Sequence, residues 1–584
     1  MCGIAGIFSK SKIDPSKLKA MCNVIKHRGP DGEGAWFDAD SNLALGHRRL
    51  SIIDLSDNAK QPMQYANGRY TITFNGEIYN YIELREELIK KGYNFVSDSD
   101  TEVLLALYTE YKEKCLSFLD GMFSFAIYDN EEKKLFCARD RFGEKPFYYY
   151  YKPSDCFVFA SEIKQFWAYG VEKKIDPNKL SRFVNYSEAL EEGALEKTFY
   201  SNITSLKAAH YLICNAELAI ETKNYWNLDS VKINPSISFS EAVIQFNNLF
   251  NHSIKTRLRS DVALGSSLSG GLDSSAIVYS VNKNFLKPSQ EQYTFSARFK
   301  NYTKDEGEYI DALNQLLPNL KRYDVFLDAG EFENDIENII QSQDEPFQSA
   351  SIFAQYKVMQ LARKNNVTVL LDGQGADELL GGYEPLYVDY LKQLFYNDNA
   401  LYNLEVKAYN EMHSAKYGAV DLNKNDTFSL KINRSIKAVL NKEQAVPGNY
   451  FFTTLKNYIC GSQLQQLLRY ADRNSMAHSV ETRLPFLNHQ LVEFVFALPD
   501  NFKLENGWPK YILRKAFDKR LPDKITWRKN KIGFETPESN FLKTERSQLK
   551  IKNATQYLND NKLCNSVETI NPWLLYMLNS YVSN

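Results

Sequence analysis

The hydrophobic rhythm of this 584-residue chain changes once, near residue 240, and that change limits the folds open to it. Up to about residue 205 the sequence reads as short strands separated by turn signals, with a few helices. Tyr70-Thr-Ile-Thr-Phe74 reads as a strand ending at a turn, Asn75-Gly76. Residues 82–91 carry Leu84 and Leu88 four apart, as in an amphipathic helix, with Gly92 as its stop. Runs 123–128 and 134–138 form a hairpin pattern around the polar segment 129–133, and the aromatic run 147–151 reads as sheet surface and core. After a less regular stretch at 222–238 the pattern becomes strand, glycine loop, helix. Strands are expected at 262–268, 293–299 and 367–371, and helices at 273–281 and 307–317. Alternation of that kind implies a parallel sheet, with catalytic loops at the carboxyl ends of its strands. A chain this long exceeds what one hydrophobic core supports, so at least two domains are expected. Their boundaries fall at 2–208 and 239–584, with 209–238 as linker.

Composition excludes several function classes. Hydrophobic residues make up 44% and charged residues 24%, ordinary for a globular protein, and the formal net charge of −2 argues against a nucleic-acid or anionic-membrane binder. The eight cysteines contain no C-x-x-C pair, and no signal-like segment is present, which points to reduced thiols and a cytoplasmic protein. No stretch approaches ~18 apolar residues, so no membrane span is expected. The seven histidines show no zinc-ligand spacing.

The most reactive position is Cys2. Removal of Met1, usual before a small side chain, would leave Cys2 with a thiol nucleophile and a free α-amine in one residue. A thiol needs a base to become a thiolate, and an α-amine with a reference pKa near ~8 can serve at neutral pH. Four clusters accompany it: His27-Arg-Gly-Pro-Asp-Gly32, Gly46-His-Arg-Arg-Leu-Ser-Ile52, Phe74-Asn-Gly-Glu-Ile-Tyr-Asn80 and Ser97-Asp-Ser-Asp-Thr-Glu102. Singly, each has an ordinary explanation: Arg49 as a surface cation, Asp100 as the cap of a helix beginning near Thr101.

Together these clusters resemble the class II glutamine amidotransferase domain, an N-terminal-nucleophile hydrolase, which implies an α+β domain of two layered antiparallel sheets with helices. The resemblance makes Cys2 the nucleophile, with the Asn75 side chain and the Gly76 backbone N–H as oxyanion donors. It assigns glutamine binding to Arg49, Leu50, Ser51, Ile52, Ile53, Asn75, Gly76, Glu77 and Asp100. Arg49 would hold the α-carboxylate and Asp100 the α-ammonium.

In the second half, Ser269-Gly-Gly-Leu-Asp-Ser-Ser275 follows a buried-strand candidate. Glycines let backbone N–H groups approach a phosphate, and the helix N-terminus that follows adds positive potential. The string lacks the Gly-Lys-Ser/Thr ending of a Walker A loop. It resembles the loop of enzymes that split ATP into AMP and pyrophosphate, in an α/β doubly wound parallel-sheet domain with extra helices. The resemblance assigns ATP to Leu268, Ser269, Gly270, Gly271, Asp273, Ser274, Ala297, Asp372 and Gly373, and Mg²⁺ to Asp273 and Asp377. Gln374 falls at a catalytic position, and Lys510 would neutralise charge on the α-phosphate, with Lys531 a lesser candidate. Asp472-Arg-Asn-Ser-Met476 and Glu481-Thr-Arg-Leu-Pro-Phe486 complete the similarity, which extends over nearly the whole chain and is to the glutamine-hydrolysing asparagine synthetases. That family implies glutamine, aspartate and ATP as substrates, a β-aspartyl-AMP intermediate and an internal ammonia tunnel. It leaves a homodimer open.

One loop departs from the family pattern. Ser-Gly-Glu-Gly is usual where this chain has Asp372-Gly373-Gln374-Gly375. Gln374 can hydrogen-bond but cannot act as a base at neutral pH. Asp372, Glu345 or pyrophosphate is expected to take the proton instead. The departure keeps a second reading open, amidation of another carboxylate such as a surface-polysaccharide uronic acid, with residues 386–450 shaping the acceptor site. A non-enzymatic binding protein is opposed by the intact Cys2, Arg49, Asn75, Asp100 and Asp377. Ring-closing relatives typically lack the N-terminal Cys that this chain retains.

Overall fold

A computed structural model describes residues 2–40, 42–187, 190–300, 302–422, 449–529, 536–561 and 570–582. The N-terminal half contains two six-stranded antiparallel sheets. In the first, Gly3–Ser9 lies between Leu43–Arg49 and Cys156–Ala160; in the second, Tyr70–Ile78 pairs with Gly121–Asp129. Ile4, Phe8, Leu43 and Leu45 of one sheet face Ala126, Tyr128, Leu135 and Cys137 of the other. Helices cover both outer faces. Tyr81–Lys90 and Asp100–Tyr111 pack on the second sheet, and Pro15–Asn23 and Lys164–Tyr169 on the first. Strands buried on both faces need apolar residues at every position, which is why Gly3–Ser9 reads as an unbroken run without alternation.

The strand expected to stop at Phe74 runs on to Ile78, because Gly121–Asp129 offers a partner to each of its nine residues, from Tyr70 opposite Asp129 to Ile78 opposite Gly121. Asn75-Gly76 is therefore strand, not turn. Gly76 is required for another reason: a Cβ there would lie 2.1 Å from the Met122 carbonyl oxygen of the neighbouring strand. The helix of the Ser97–Glu102 cluster is capped by Ser99, whose side chain accepts from the Thr101 N–H. Asp100 is freed from capping and turns inward. The second sheet also reaches further than the sequence rhythm implied. His210–Cys214 and Ile220–Asn224 continue it, so the segment 209–238 is linker only beyond Asn224.

The C-terminal half is built on five parallel strands in the order Leu320–Phe326, Gln292–Arg298, Leu264–Ser267, Val369–Leu371 and Glu481–Arg483. Each expected strand and helix is present within a few residues of its predicted bounds, the helix after the first glycine loop being Leu272–Asn284. Glu481–Arg483, quoted above only as a motif, is an edge strand of this sheet. Residues 386–450 contribute to Glu384–Asn397 and Asn399–Tyr417, while 423–448 lie outside the described residues. No helix among the described residues is long and apolar enough to cross a membrane.

Helix Phe239–Arg257 carries much of this core: the Phe250 ring sits 4.8 Å from Phe486 and 6.1 Å from Phe517. Phe250→Ala removes a fully buried ring and leaves a cavity, at a cost of about 3–5 kcal/mol. Its thermal transition should fall by several degrees, read by calorimetry on the full chain.

Candidate active sites

Cys2 is buried at the start of the first strand, under the second sheet. Its backbone nitrogen donates to Asn75 Oδ1 at 3.0 Å, its carbonyl accepts from Arg28 Nε at 3.0 Å, and its Sγ lies 3.9 Å from the Leu50 carbonyl oxygen. Burial pushes the thiol up from its ordinary pKa, so attack requires a base alongside it. Asn75 is fully buried, and its Nδ2 finds no hydrogen-bond partner among the described residues. An orphaned buried donor is costly unless a ligand acceptor fills the gap.

Arg49 is pinned rather than free. Its guanidinium donates to the carbonyls of Ser56, at 2.9 Å, and Asp54. Those contacts fold the loop after Leu43–Arg49 back over the pocket, with Ser51 N–H on Asp31 at 2.9 Å and Ile52 carbonyl accepting from Asp261. Leu50 and Ile52 are buried, Ser51 and Ile53 half-buried. Asp100 accepts from Ile78 N–H at 2.9 Å, yet burial pushes its carboxyl up to about 6. Glu77 is driven well above the usual carboxylate range by burial and by the neighbouring carboxylates of Glu481 and Asp100; its Oε1 is 3.7 Å from Arg483. The pocket thus gathers buried carboxyls whose mutual repulsion is only partly offset by Arg483, an arrangement that favours an ammonium ligand. Two contributors escaped the sequence reading. Arg28 stands in the quoted His27–Gly32 cluster, but only the fold shows it holding the Cys2 carbonyl, and Arg483 comes from the far domain.

The second site is a cavity of about 520 Å³ at the carboxyl ends of the parallel strands. It is lined by Leu268, Ser269, Gly271, Asp273 and Ser274 of the first loop, Ala297 of the next strand, and Asp372, Gly373, Gln374 and Asp377 of the second loop. Gly270 does not line it. With φ +80°, it makes the turn that brings the loop against Glu306 and Tyr309. Lys510 Nζ bridges the two loops, 2.5 Å from Asp273 Oδ2 and 2.7 Å from Asp377 Oδ1. Burial opposes the lysine's charge, but the two carboxylates win and hold its pKa above the ordinary value. Its backbone is left-handed, φ 55°, a conformation costing a non-glycine residue about 1–2 kcal/mol and sustained by that double ion pair. Gly382 admits the lysine: a Cβ there would lie 1.9 Å from Asp377 Oδ1 and 2.4 Å from Lys510 Cε.

Asp273 Oδ1 is buried without a partner among the described residues, so the carboxylate pair keeps an open oxygen for a hard cation such as Mg²⁺. Asp372 is pushed up by burial and accepts from Gln374 N–H at 3.3 Å, and Gln374 Oε1 is buried with no partner among the described residues. Glu345 does not join this cavity. It accepts from Phe199 N–H at 2.6 Å and pairs with Arg469 at 2.8 Å, which removes it as an alternative base. Lys531 lies outside the described residues.

A double antiparallel sheet that begins at Cys2, joined to a parallel sheet with two glycine loops, defines an amidotransferase domain followed by a synthetase domain. Residues 1–226 match the glutamine amidotransferase domain family and residues 245–562 the asparagine synthase family. The chain is 34% identical to asparagine synthetase (glutamine-hydrolyzing) 1 of Bacillus subtilis strain 168, over 94% of this chain and 89% of that one. It is 30% identical to asparagine synthetase (glutamine-hydrolyzing) 3 of the same organism, over 94% and 90%. It is 27% identical to amidase chry2 of Gibberella zeae, over 87% and 83%. The chain belongs to the glutamine-hydrolysing asparagine synthetase family.

Lys510→Met takes away the ammonium that bridges Asp273 and Asp377, leaving Arg514 as the neighbouring cation. The variant should melt below the parent in EDTA and gain more from added Mg²⁺ than the parent does, read by thermal unfolding with and without the metal.

Proposed function

We propose that this protein amidates L-aspartate to L-asparagine, using ammonia from glutamine and splitting ATP to AMP and pyrophosphate. The observation that carries the reading is an apolar cluster at the domain junction, made of Leu50, Ile52, Tyr79, Met122, Val369 and Met476. It joins the wall of the Cys2 pocket to the strand whose end carries Asp372, and so supports an internal route for a small neutral product. The 34% and 30% identical relatives named as asparagine synthetases support the acceptor.

In this reading the Cys2 α-amine takes the thiol proton as Sγ attacks the glutamine side-chain carbonyl. The orphaned Asn75 Nδ2 and the Gly76 N–H receive the oxyanion. Arg49 and Asp100 hold the two ends of the amino acid. The proton passes to the departing ammonia, and water releases glutamate from the thioester. In the second site the acceptor carboxylate attacks the α-phosphorus of ATP and pyrophosphate leaves. Ammonia then displaces AMP from the acyl carbon. Asp273 and Asp377 would hold Mg²⁺, whose charge would favour the departing pyrophosphate. Lys510 would follow the charge developing on phosphate as its carboxylate partners are drawn away. Asp372, its pKa raised by burial, is the acceptor for the adduct's proton that Gln374 cannot be.

A second reading, amidation of a larger carboxylate such as a uronic acid, draws support from the cavity's extent. Beyond the loops it continues along Tyr387, Tyr409, Met412, His413 and Trp508. AMP release with ATP and glutamine, with and without each acceptor, separates the two.

Two variants test the chemistry. Cys2→Ala should lower glutamine-dependent asparagine formation by roughly 10³-fold while sparing synthesis from ammonium chloride. Asp372→Asn should do the converse, lowering amide formation ~10²-fold with glutaminase unchanged. Aspartate-independent pyrophosphate release in the parent protein would overturn the aspartate reading.

A further inference from the structure

Of the run Asp472-Arg473-Asn474-Ser475-Met476 only Met476, in the apolar cluster, has entered the reading above, yet all five side chains are buried at the end of helix Ser462–Met476. Toward the amidotransferase domain, Asp472 accepts from both terminal nitrogens of Arg28, Nη1 at 2.8 Å and Nη2 at 2.9 Å, while Arg28 Nε donates to the Cys2 carbonyl. Glu162 completes this contact, 2.9 Å from Arg28 and 3.1 Å from Arg473. Toward the nucleotide cavity, Asn474 Nδ2 donates to the Ile352 carbonyl at 3.1 Å and to Gln355 Oε1 at 2.9 Å. Its Oδ1 accepts from Gln343 at 3.0 Å. Ile352 and Gln355 both line the cavity, as do Gln463 and Leu467 of the same helix.

Residues two apart on a helix point about 200° away from each other. One turn therefore reaches the Cys2 carbonyl through Arg28 on one side and residues that line the distant cavity on the other. We propose that Asp472 is a positioning residue for Cys2, and that the turn Asp472–Asn474 couples occupancy of the nucleotide cavity to glutamine hydrolysis. The inference rests on the function proposed above. Arg28 cannot set the Cys2 carbonyl, and with it the α-amine and thiol, unless its guanidinium plane is fixed. The bidentate grip of Asp472 fixes that plane. The groups expected to bind glutamine, Arg49 and Asp100, lie on other elements, so the effect falls on turnover rather than on binding.

The test uses the purified full-length protein with glutaminase, ammonia-dependent synthesis and thermal unfolding measured in parallel. Asp472→Asn keeps the shape and removes the charge. It should lower glutaminase kcat by about 10–100-fold, the usual effect of losing a group that orients a reacting one. KM for glutamine and asparagine formation from ammonium chloride should hold. Asn474→Ala should keep basal glutaminase but lose any acceleration by ATP plus aspartate. Parent-like kcat in D472N, or equal losses in ammonia-dependent synthesis and thermal stability, would reduce the contact to scaffolding and overturn the proposal. So would an N474A protein whose glutaminase still responds to ATP plus aspartate, or a parent that never responds. Absence of glutamine hydrolysis or of aspartate amidation in the parent would instead count against the underlying function, and both are read separately.

Discussion

The two halves of this molecule meet on buried charge. Arg28, Glu162, Asp472 and Arg473 are each at most 3% exposed, and every one is held by an oppositely charged neighbour across or beside the junction. Taking such groups out of water costs several kcal/mol apiece, returned only if each partner is in place. Removing one partner is therefore expensive, whereas an apolar junction of equal volume would be no less stable. What the network contributes is orientation: two domains that slide by an ångström lose several charge-assisted bonds together. The position of Cys2 follows from this constraint, because its carbonyl is one of the acceptors.

The two sites solve opposite electrostatic problems. The glutamine pocket is left short of partners: Asn75 Nδ2 and Glu77 Oε2 are buried without a hydrogen bond among the described residues, and burial raises Asp100 to about 6. Such a pocket gains when a ligand supplies the missing donor, acceptor and cation. The nucleotide cavity instead pairs its charges internally, Lys510 standing between Asp273 and Asp377, and leaves only Asp273 Oδ1 and Gln374 Oε1 of its loop groups named above without a partner among the described residues. Between the two sites lies the apolar cluster around Met122 and Val369.

Much of this was legible in the chain. The spacing of strands and helices after residue 240 carried the fold, and the glycine loops and the clusters around Cys2 named most of the residues that the fold gathers at the two candidate sites. The errors have physical causes. Asn75-Gly76 is a turn dipeptide by local preference, but a nine-residue partner strand overrides it, and the glycine serves close approach between strands. Glu345 had the right chemistry for a base, yet nothing local reveals that Arg469 and the Phe199 N–H already occupy it.

By itself, the sequence determined what depends on residue type and short spacing: a cysteine directly after Met1, two glycine-rich loops, paired carboxylates, and the strand–helix rhythm of a parallel sheet. Only the tertiary structure decided what depends on contacts hundreds of residues apart: Lys510 between two loop carboxylates, and Arg28 held by Asp472 against the Cys2 carbonyl. Local chemistry fixes what a side chain can do. Burial and long-range packing decide which partner it has, and hence what it does.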